Sequence, residues 1–108
     1  MSYRVFLTDD ASRDLEDIYD YVDVHDAAGK ADYVLDRIAN VFNCLSENPE
    51  RGSYPKELLA AGLREYREIY FKPYRVIYRV MAKRVYIMVI ADGRRDMQAL
   101  LQRRLLQA

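Results

Sequence analysis

The chain has one cysteine, one histidine and no tryptophan in 108 residues. Cys44 alone cannot close an internal disulfide, and together with His25 it is too small a set for a His/Cys metal centre, so neither metal nor cofactor is expected. Cys44 falls in the apolar run of an expected helix and reads as a small core residue. His25 reads as an exposed loop residue between Asp23 and Asp26. Long hydrophobic runs are lacking too. The longest unbroken one, Val85 to Ala91, is far short of the roughly 18–20 residues a membrane span needs, and the polar opening MSYRVFLTDD has no signal-peptide apolar region. A soluble, cytoplasmic protein without membrane contact is expected. No glycine-rich phosphate loop, nucleophile elbow or zinc-ligand spacing occurs, which sets aside the enzymes most readily read from sequence. There is no repeat, low-complexity segment or linker, and residues 1–108 read as a single domain.

What the chain does have is charge, unevenly placed. Residues 1–50 carry 4 Lys/Arg against 12 Asp/Glu, a net of −8, and residues 51–108 carry 13 against 5, a net of +8. A basic half of this kind points to an anionic partner, the alternative being that the acidic half offsets it within the fold. Its centre is the stretch 63–96, where arginines at 64, 67, 75, 79, 84, 94 and 95 interrupt runs of Val, Ile, Tyr and Met. A sheet built from it buries one set of side chains and presents guanidinium groups from the other and from its turns.

The element order follows from periodicity. Tyr3 to Leu7 reads as a strand, and Thr8 as the N-cap of a helix whose first turn holds Asp9 and Asp10. Ala11, Leu15, Ile18 and Val22 share one face of that helix, while Asp14, Asp17 and Asp20 lie opposite and read as solvated. After a break around Val24 to Gly29, the stripe Val34, Leu35, Ile38, Val41, Phe42 and Leu45 predicts a second helix, ended by Asn48-Pro49. The KELLAAG segment predicts one helical turn closed by Gly62. Three strands follow: Leu63 to Phe71 as an edge strand, Tyr74 to Met81, and Val85 to Ala91 as a central strand covered on both faces. After the Asp92-Gly93 turn, Asp96 to Leu106 predicts a last helix with Met97, Leu100, Leu101 and Leu105 inward and Arg103 and Arg104 outward. The fold class is α+β: an N-terminal strand and helical hairpin packed on an antiparallel sheet, with a C-terminal helix.

Chemistry on such a chain must use Arg, Tyr, Lys and carboxylates. Arginines can stabilise a phosphorane-like transition state, and RNA cleavage also needs a base and an acid. Glu65, Tyr66, Glu68 and Tyr70 are the candidates near the basic cluster, although tyrosines in strands more often simply pack.

Several segments together carry a family resemblance: A-S-R-D-L-E-D-I-Y-D-Y at 11–21, G-L-R at 62–64, Y-R-E-I at 66–69, P-Y-R-V-I-Y-R-V at 73–80, the strand V-Y-I-M-V-I and D-G-R-R-D at 92–96. In this order the chain resembles the RelE/ParE superfamily of toxins from type II toxin-antitoxin modules of plasmid-stabilisation type, closer to the ParE branch. The resemblance implies a cognate antitoxin wrapped over the hairpin and sheet, with Leu15, Ile18, Tyr19, Val22, Val34 and Ile38 as candidates for contacting it. It implies one of two targets: DNA gyrase for a ParE-like toxin, or the ribosome with its mRNA for a RelE-like endoribonuclease. Arg64, Arg67, Arg75, Arg94 and Arg95 are then target-binding candidates. In the ribonuclease reading Arg75 and Arg95 match catalytic arginines, and Arg67 falls where a catalytic lysine is found. The place of a second RelE-like lysine falls on Ile69 or Tyr70, and that of the catalytic tyrosine on Leu101. G-L-R-E-Y and G-R-R-D-M-Q-A-L-L favour the ParE reading, in which the chain is a gyrase inhibitor and not an enzyme.

Overall fold

The computed structural model describes residues 2–106. Strand β1 (Arg4–Leu7) runs straight into helix α1 (Asp9–His25), and helix α2 (Lys30–Glu47) returns antiparallel to it. The expected cap forms: the Thr8 hydroxyl accepts from the Ala11 N–H at 3.2 Å and donates to the Ile87 carbonyl at 2.8 Å, fastening the helix start to the sheet. Gly29, in the left-handed region at φ 83°, reverses the chain between the helices. A short α3 (Lys56–Leu59) follows. It ends as predicted at Gly62, at φ 79°, where Gly62 N–H donates to Leu59 and Leu63 N–H to Leu58, a Schellman closure. Because that closure occupies Leu63, strand β2 begins only at Tyr66 and runs to Phe71.

Strands β2, β3 (Tyr74–Met81) and β4 (Arg84–Asp92) form an antiparallel meander, and the full order is β1-β4-β3-β2. β2 is thus the expected edge and β4 an expected inner strand. The sheet is mixed rather than wholly antiparallel, because β1 pairs parallel to β4. The helical hairpin and loop carry the chain from β1 to the far edge. Three alternating strands then bring it back to β1 in the same sense. The β2 edge is guarded at its middle, where Ser53 and Glu68 exchange both backbone hydrogen bonds.

Each face of the sheet carries its own core. Val76, Tyr78, Val85, Ile87 and Ile90 pack against α1 and α2, while Ile77, Val89 and Ala91 pack with Leu58 of α3 and with Met97, Leu100 and Leu101 of α4 (Met97–Leu101). A register shift opposite Ile77 and Tyr78 leaves Met88 unpaired, so Ile87 and Val89 face opposite sides of the sheet.

Further placements depart from the sequence reading. His25, read as a loop residue, is exposed but ends helix α1. Asp14 is not solvated: its carboxylate accepts the Ile90 N–H at 3.0 Å, a ladder donor beyond the last β1 residue. Arg104, expected outward, turns in from the π-helical turn Gln102–Leu106 to meet Asp14 with two hydrogen bonds of 3.0 Å and to donate to the bulged Met88 carbonyl. Both polar groups of β4 need a partner, and that need outweighs helical periodicity. Cys44 is exposed, since it lies about a quarter turn off the Val34, Ile38, Val41, Leu45 stripe.

Tyr78, fully buried, donates its hydroxyl to the Pro49 carbonyl at 2.7 Å and accepts from the Gly52 N–H at 3.0 Å. A Cβ on Gly52 would lie 2.6 Å from that hydroxyl and 2.6 Å from the Glu68 carbonyl, so only glycine fits. Tyr78→Phe strands both backbone groups and is expected to lower stability by about 1–3 kcal/mol in urea denaturation. A loss under 0.5 kcal/mol would mean that water replaces the hydroxyl.

Candidate functional site

The five arginines expected to bind the target separate into two groups. One lies at the start of β2. Arg67 donates to the Gly52 carbonyl at 2.8 Å and the Glu50 carbonyl at 3.2 Å, with its guanidinium 4.7 Å from the Tyr54 ring centre. Arg64 is exposed, 6.0 Å from the same ring. Arg67 therefore anchors the 50–54 loop.

The other group surrounds the opposite end of the sheet. Register places Tyr70 beside Arg75, and Glu68 two residues along on the same face. Arg75 is buried, with 4% of its side chain exposed. Its Nε donates to Glu68 at 2.7 Å, and its two terminal nitrogens donate to the two oxygens of Glu57 at 2.8 Å each. One guanidinium thus ties β2, β3 and α3 together through two carboxylates. Tyr70 stands over it, its ring centre 5.7 Å from the guanidinium carbon and the residue 55% exposed. Burial, then the Glu68 charge, pushes the Tyr70 hydroxyl above its ordinary range, so it keeps its proton at neutral pH.

The Arg75 stem supports the next loop. A Cβ on Gly93 would lie 3.1 Å from its Cδ, and the Gly93 N–H donates to the Pro73 carbonyl at 2.7 Å, joining the β2–β3 turn to the loop after β4. That loop carries Arg94, which donates from its backbone and side chain to Asp92, and Arg95, which is exposed. The Arg94 hydrogen bonds hold the Asp92 carboxyl below the ordinary aspartate range.

Two recesses flank this joined pair of loops. A groove of about 690 Å³ is lined by Tyr21, Val22, Val34, Phe71 and Tyr74 with Lys30, Lys72, Arg94 and Arg95 at its rim. A cleft of about 620 Å³ on the other side is lined by Lys56, Tyr70, Lys72, Arg94 and Arg95, with the buried Arg75 and the carboxylates of Glu57 and Asp96 also in its wall. Arg75, Arg94 and Arg95 are therefore brought together; Arg64 and Arg67 are not. Among the antitoxin-contact candidates, Val22, Val34 and Ile38 are buried in the core, and Leu15, Ile18 and Tyr19 are half-buried, Tyr19 donating to Asp32 at 2.8 Å. Val22 and Val34 reach the groove from beneath. Sequence reasoning missed Lys56, Glu57, Lys72 and Tyr21, whose positions depend on where turns and helix ends meet. Glu68 carried a readable sign, a carboxylate on the strand face that also bears Arg75. Among the described residues no group of three or more His, Cys, Asp or Glu is placed to hold a metal ion, and no helix is long and apolar enough to cross a membrane.

The Glu57 carboxyl is held below the ordinary glutamate range by its hydrogen bonds from Arg75. The folded state then binds that proton less readily than the unfolded chain. The resulting stability is complete above the unfolded value of about 4.3 and is lost as pH falls below it. The urea midpoint is expected to fall between about pH 5 and pH 3, and Glu57→Gln to fall less over that range. Equal slopes in both proteins would place the acid-sensitive groups elsewhere.

Comparison with solved structures places the fold. A chain in the solved structure of the chromosomal ParDE TA system from P. aeruginosa matches with a TM-score of 0.69, covering 84% of this chain and 96% of that one at 22% identity. At that identity the likeness speaks for the α+β architecture alone. Sequence carries the assignment further. Residues 5–97 match the family described as ParE toxin of type II toxin-antitoxin system, parDE. Over 96 residues the chain is 34% identical to Toxin ParE3 of Caulobacter vibrioides, spanning 89% of this chain and 92% of that protein. The chain belongs to the ParE toxin family of type II toxin-antitoxin systems, which favours the ParE reading of the superfamily resemblance over the RelE-like one.

Proposed function

We propose that this ParE-family toxin acts by inhibiting DNA gyrase and is held inactive by a cognate antitoxin. One observation carries the choice of target: the groups a RelE-like ribonuclease would need are not free to act. Arg75 is neutralised by Glu57 and Glu68. Leu101, at the place of the catalytic tyrosine, is 1% exposed in the core between α4 and the sheet. A substrate phosphate above Arg75 would meet a guanidinium whose charge is already matched by two carboxylates.

Purified toxin is expected to block supercoiling by gyrase at micromolar concentration and to stabilise cleaved DNA complexes. Unaffected supercoiling would remove the reading, and codon-dependent mRNA cleavage in a translating extract would replace it with the ribonuclease one. The groove beside Tyr21, Phe71 and Tyr74, lined by apolar side chains and by four cations against the two carboxylates of Asp26 and Asp92, supports an antitoxin segment with apolar and some acidic side chains. Growth arrest on expression, relieved by the neighbouring gene product, is the expected result in cells; arrest that the neighbour leaves untouched would count against the pairing.

A further inference from the structure

We propose that the cleft between α3, the β2–β3 turn and the loop after β4 binds the phosphodiester backbone of DNA. The proposal deepens the gyrase reading, on which it rests only for the choice of DNA as the polyanion.

The first support is the balance of charge around the cleft. Lys56 opens α3, Lys72 forms the β2–β3 turn, and Arg94 and Arg95 follow β4, yet all four line one recess. The carboxylates near them are already committed. Glu57 and Glu68 hold Arg75, Asp92 holds Arg94, and Asp96 accepts the Ala99 N–H at 3.1 Å as the cap of α4. Lys56, Lys72 and Arg95 have no carboxylate within ion-pair distance among the described residues. Counted with Arg75 and the four carboxylates, five cations stand against four anions, a net of +1, and these three are the cations left without a carboxylate partner among the described residues.

The second support is rigidity. The hydrogen bond from Gly93 to Pro73 links the loops that bear Lys72 and the arginine pair, and the Arg75 stem lies directly beneath Gly93. The cations sit on a braced rim rather than on independent loops. Tyr70, exposed and beside Arg75, lines the same cleft with its ring, its hydroxyl donating to Glu68 at 3.5 Å.

The spread of the cations selects the ligand. They arrive from three separate elements around a cleft of about 620 Å³ instead of converging on one point. A single phosphate or carboxylate would engage one or two of them. A chain of regularly spaced phosphates can engage all of them and gains from counterion release. Contacts from these cations go to phosphates, which carry no sequence information, so the binding is expected to be independent of sequence.

Fluorescence anisotropy with a short labelled DNA duplex tests this directly. Binding is expected to weaken with salt on a log-log slope of about −3, which is roughly 60-fold between 50 and 200 mM. The triple variant Lys56→Ala/Lys72→Ala/Arg95→Ala is expected to bind at least about tenfold more weakly at 50 mM, with a slope reduced to about −1, the part left to Arg94. The control triple Lys83→Ala/Arg84→Ala/Arg103→Ala, which removes exposed cations elsewhere, is expected to stay within about twofold. Arg95→Gln alone, which changes one exposed side chain and leaves the braced rim intact, is expected to lose about three- to fivefold and provides a second reading should the triple fail to fold. No binding at 50 mM, equal losses in cleft and control variants, or polyglutamate competing as well as unlabelled duplex would each overturn the proposal. Gyrase separates the two readings: toxin that inhibits supercoiling but binds no duplex removes the cleft proposal and keeps gyrase. Toxin that binds duplex through the cleft and leaves supercoiling untouched does the reverse.

Discussion

Arg75→Met is expected to lower the free energy of unfolding by about 3–5 kcal/mol at neutral pH, which for a domain of this size is a fall in Tm on the order of 15–30 °C. The reason is what the substitution leaves behind. Glu57 and Glu68 are 11% and 4% exposed, and Arg75 is the cation both of them bond. Without it two like charges face each other in a largely buried space in the wall of the cleft, and one must take up a proton or the cluster must open. The loss should therefore shrink as pH is lowered toward 4, where protonation of a carboxyl removes the repulsion. Replacing all three residues with apolar ones of similar volume should recover most of it, because the penalty comes from unpaired charge and not from a net gain by the pair. Urea denaturation of wild type, single and triple variants at pH 7 and pH 4 decides the matter. A single-variant loss under about 1 kcal/mol at pH 7 would show that the carboxylates reach water. The result also bears on function, since any activity lost in Arg75 variants could arise through the loop that Arg75 supports. Arg95→Gln, on the surface, should keep stability within about 0.5 kcal/mol and so separates the two causes.

Leu101→Ala is expected to cost about 2–5 kcal/mol. Leu101 is 1% exposed and packs with Leu58, Ile77, Val89, Met97 and Leu100 in the core on the second face of the sheet. Truncation leaves a cavity that short elements such as α3 and α4 can fill only in part. The prediction separates a structural position from a chemical one. If Leu101 only packs, Leu101→Met keeps stability within about 1.5 kcal/mol and keeps whatever activity the wild type has. Thermal unfolding of the two variants, followed by gyrase assays on the one that remains folded, provides the check. Loss of activity in Leu101→Met at full stability would assign the residue a direct role.

Much of the architecture was legible because the chain's local choices agree with one another. The Thr8 cap, the Val34, Ile38, Leu45 stripe, the Gly62 closure, the β2 edge and the inner position of β4 all rest on short-range rules. Two misses are local, the exposure of Cys44 a quarter turn off the helix stripe and the start of β2 at Tyr66; the others come from contact between distant parts. Asp14 and Arg104 are 90 residues apart, and neither helix pattern hints that β4 would leave an N–H and a carbonyl for them to satisfy. The parallel sense of β1 depends on how far the hairpin and loop carry the chain, which no local pattern encodes. At the site, the arginine positions were readable but their state was not. Strand alternation says that Glu68, Tyr70 and Arg75 share a face; it does not say that α3 closes over that face and brings Glu57. Lys56 and Lys72 went unnoticed for the same reason, being ordinary surface lysines until turn and helix meet.

The parallel pairing of β1 with β4 also sets an order of events. Arg4 to Leu7 pairs with Arg84 to Ile87, so the first strand has no neighbour in the sheet until the last one exists. During synthesis the helical hairpin can form early, but its apolar stripe and the start of the chain wait for most of the domain to leave the ribosome. Closing so long a loop is a slow, non-local step, and this contact is expected to form late in folding and to govern its rate. A partially made chain therefore lacks β4, and with it both the partner of β1 and the loop that carries Arg94 and Arg95.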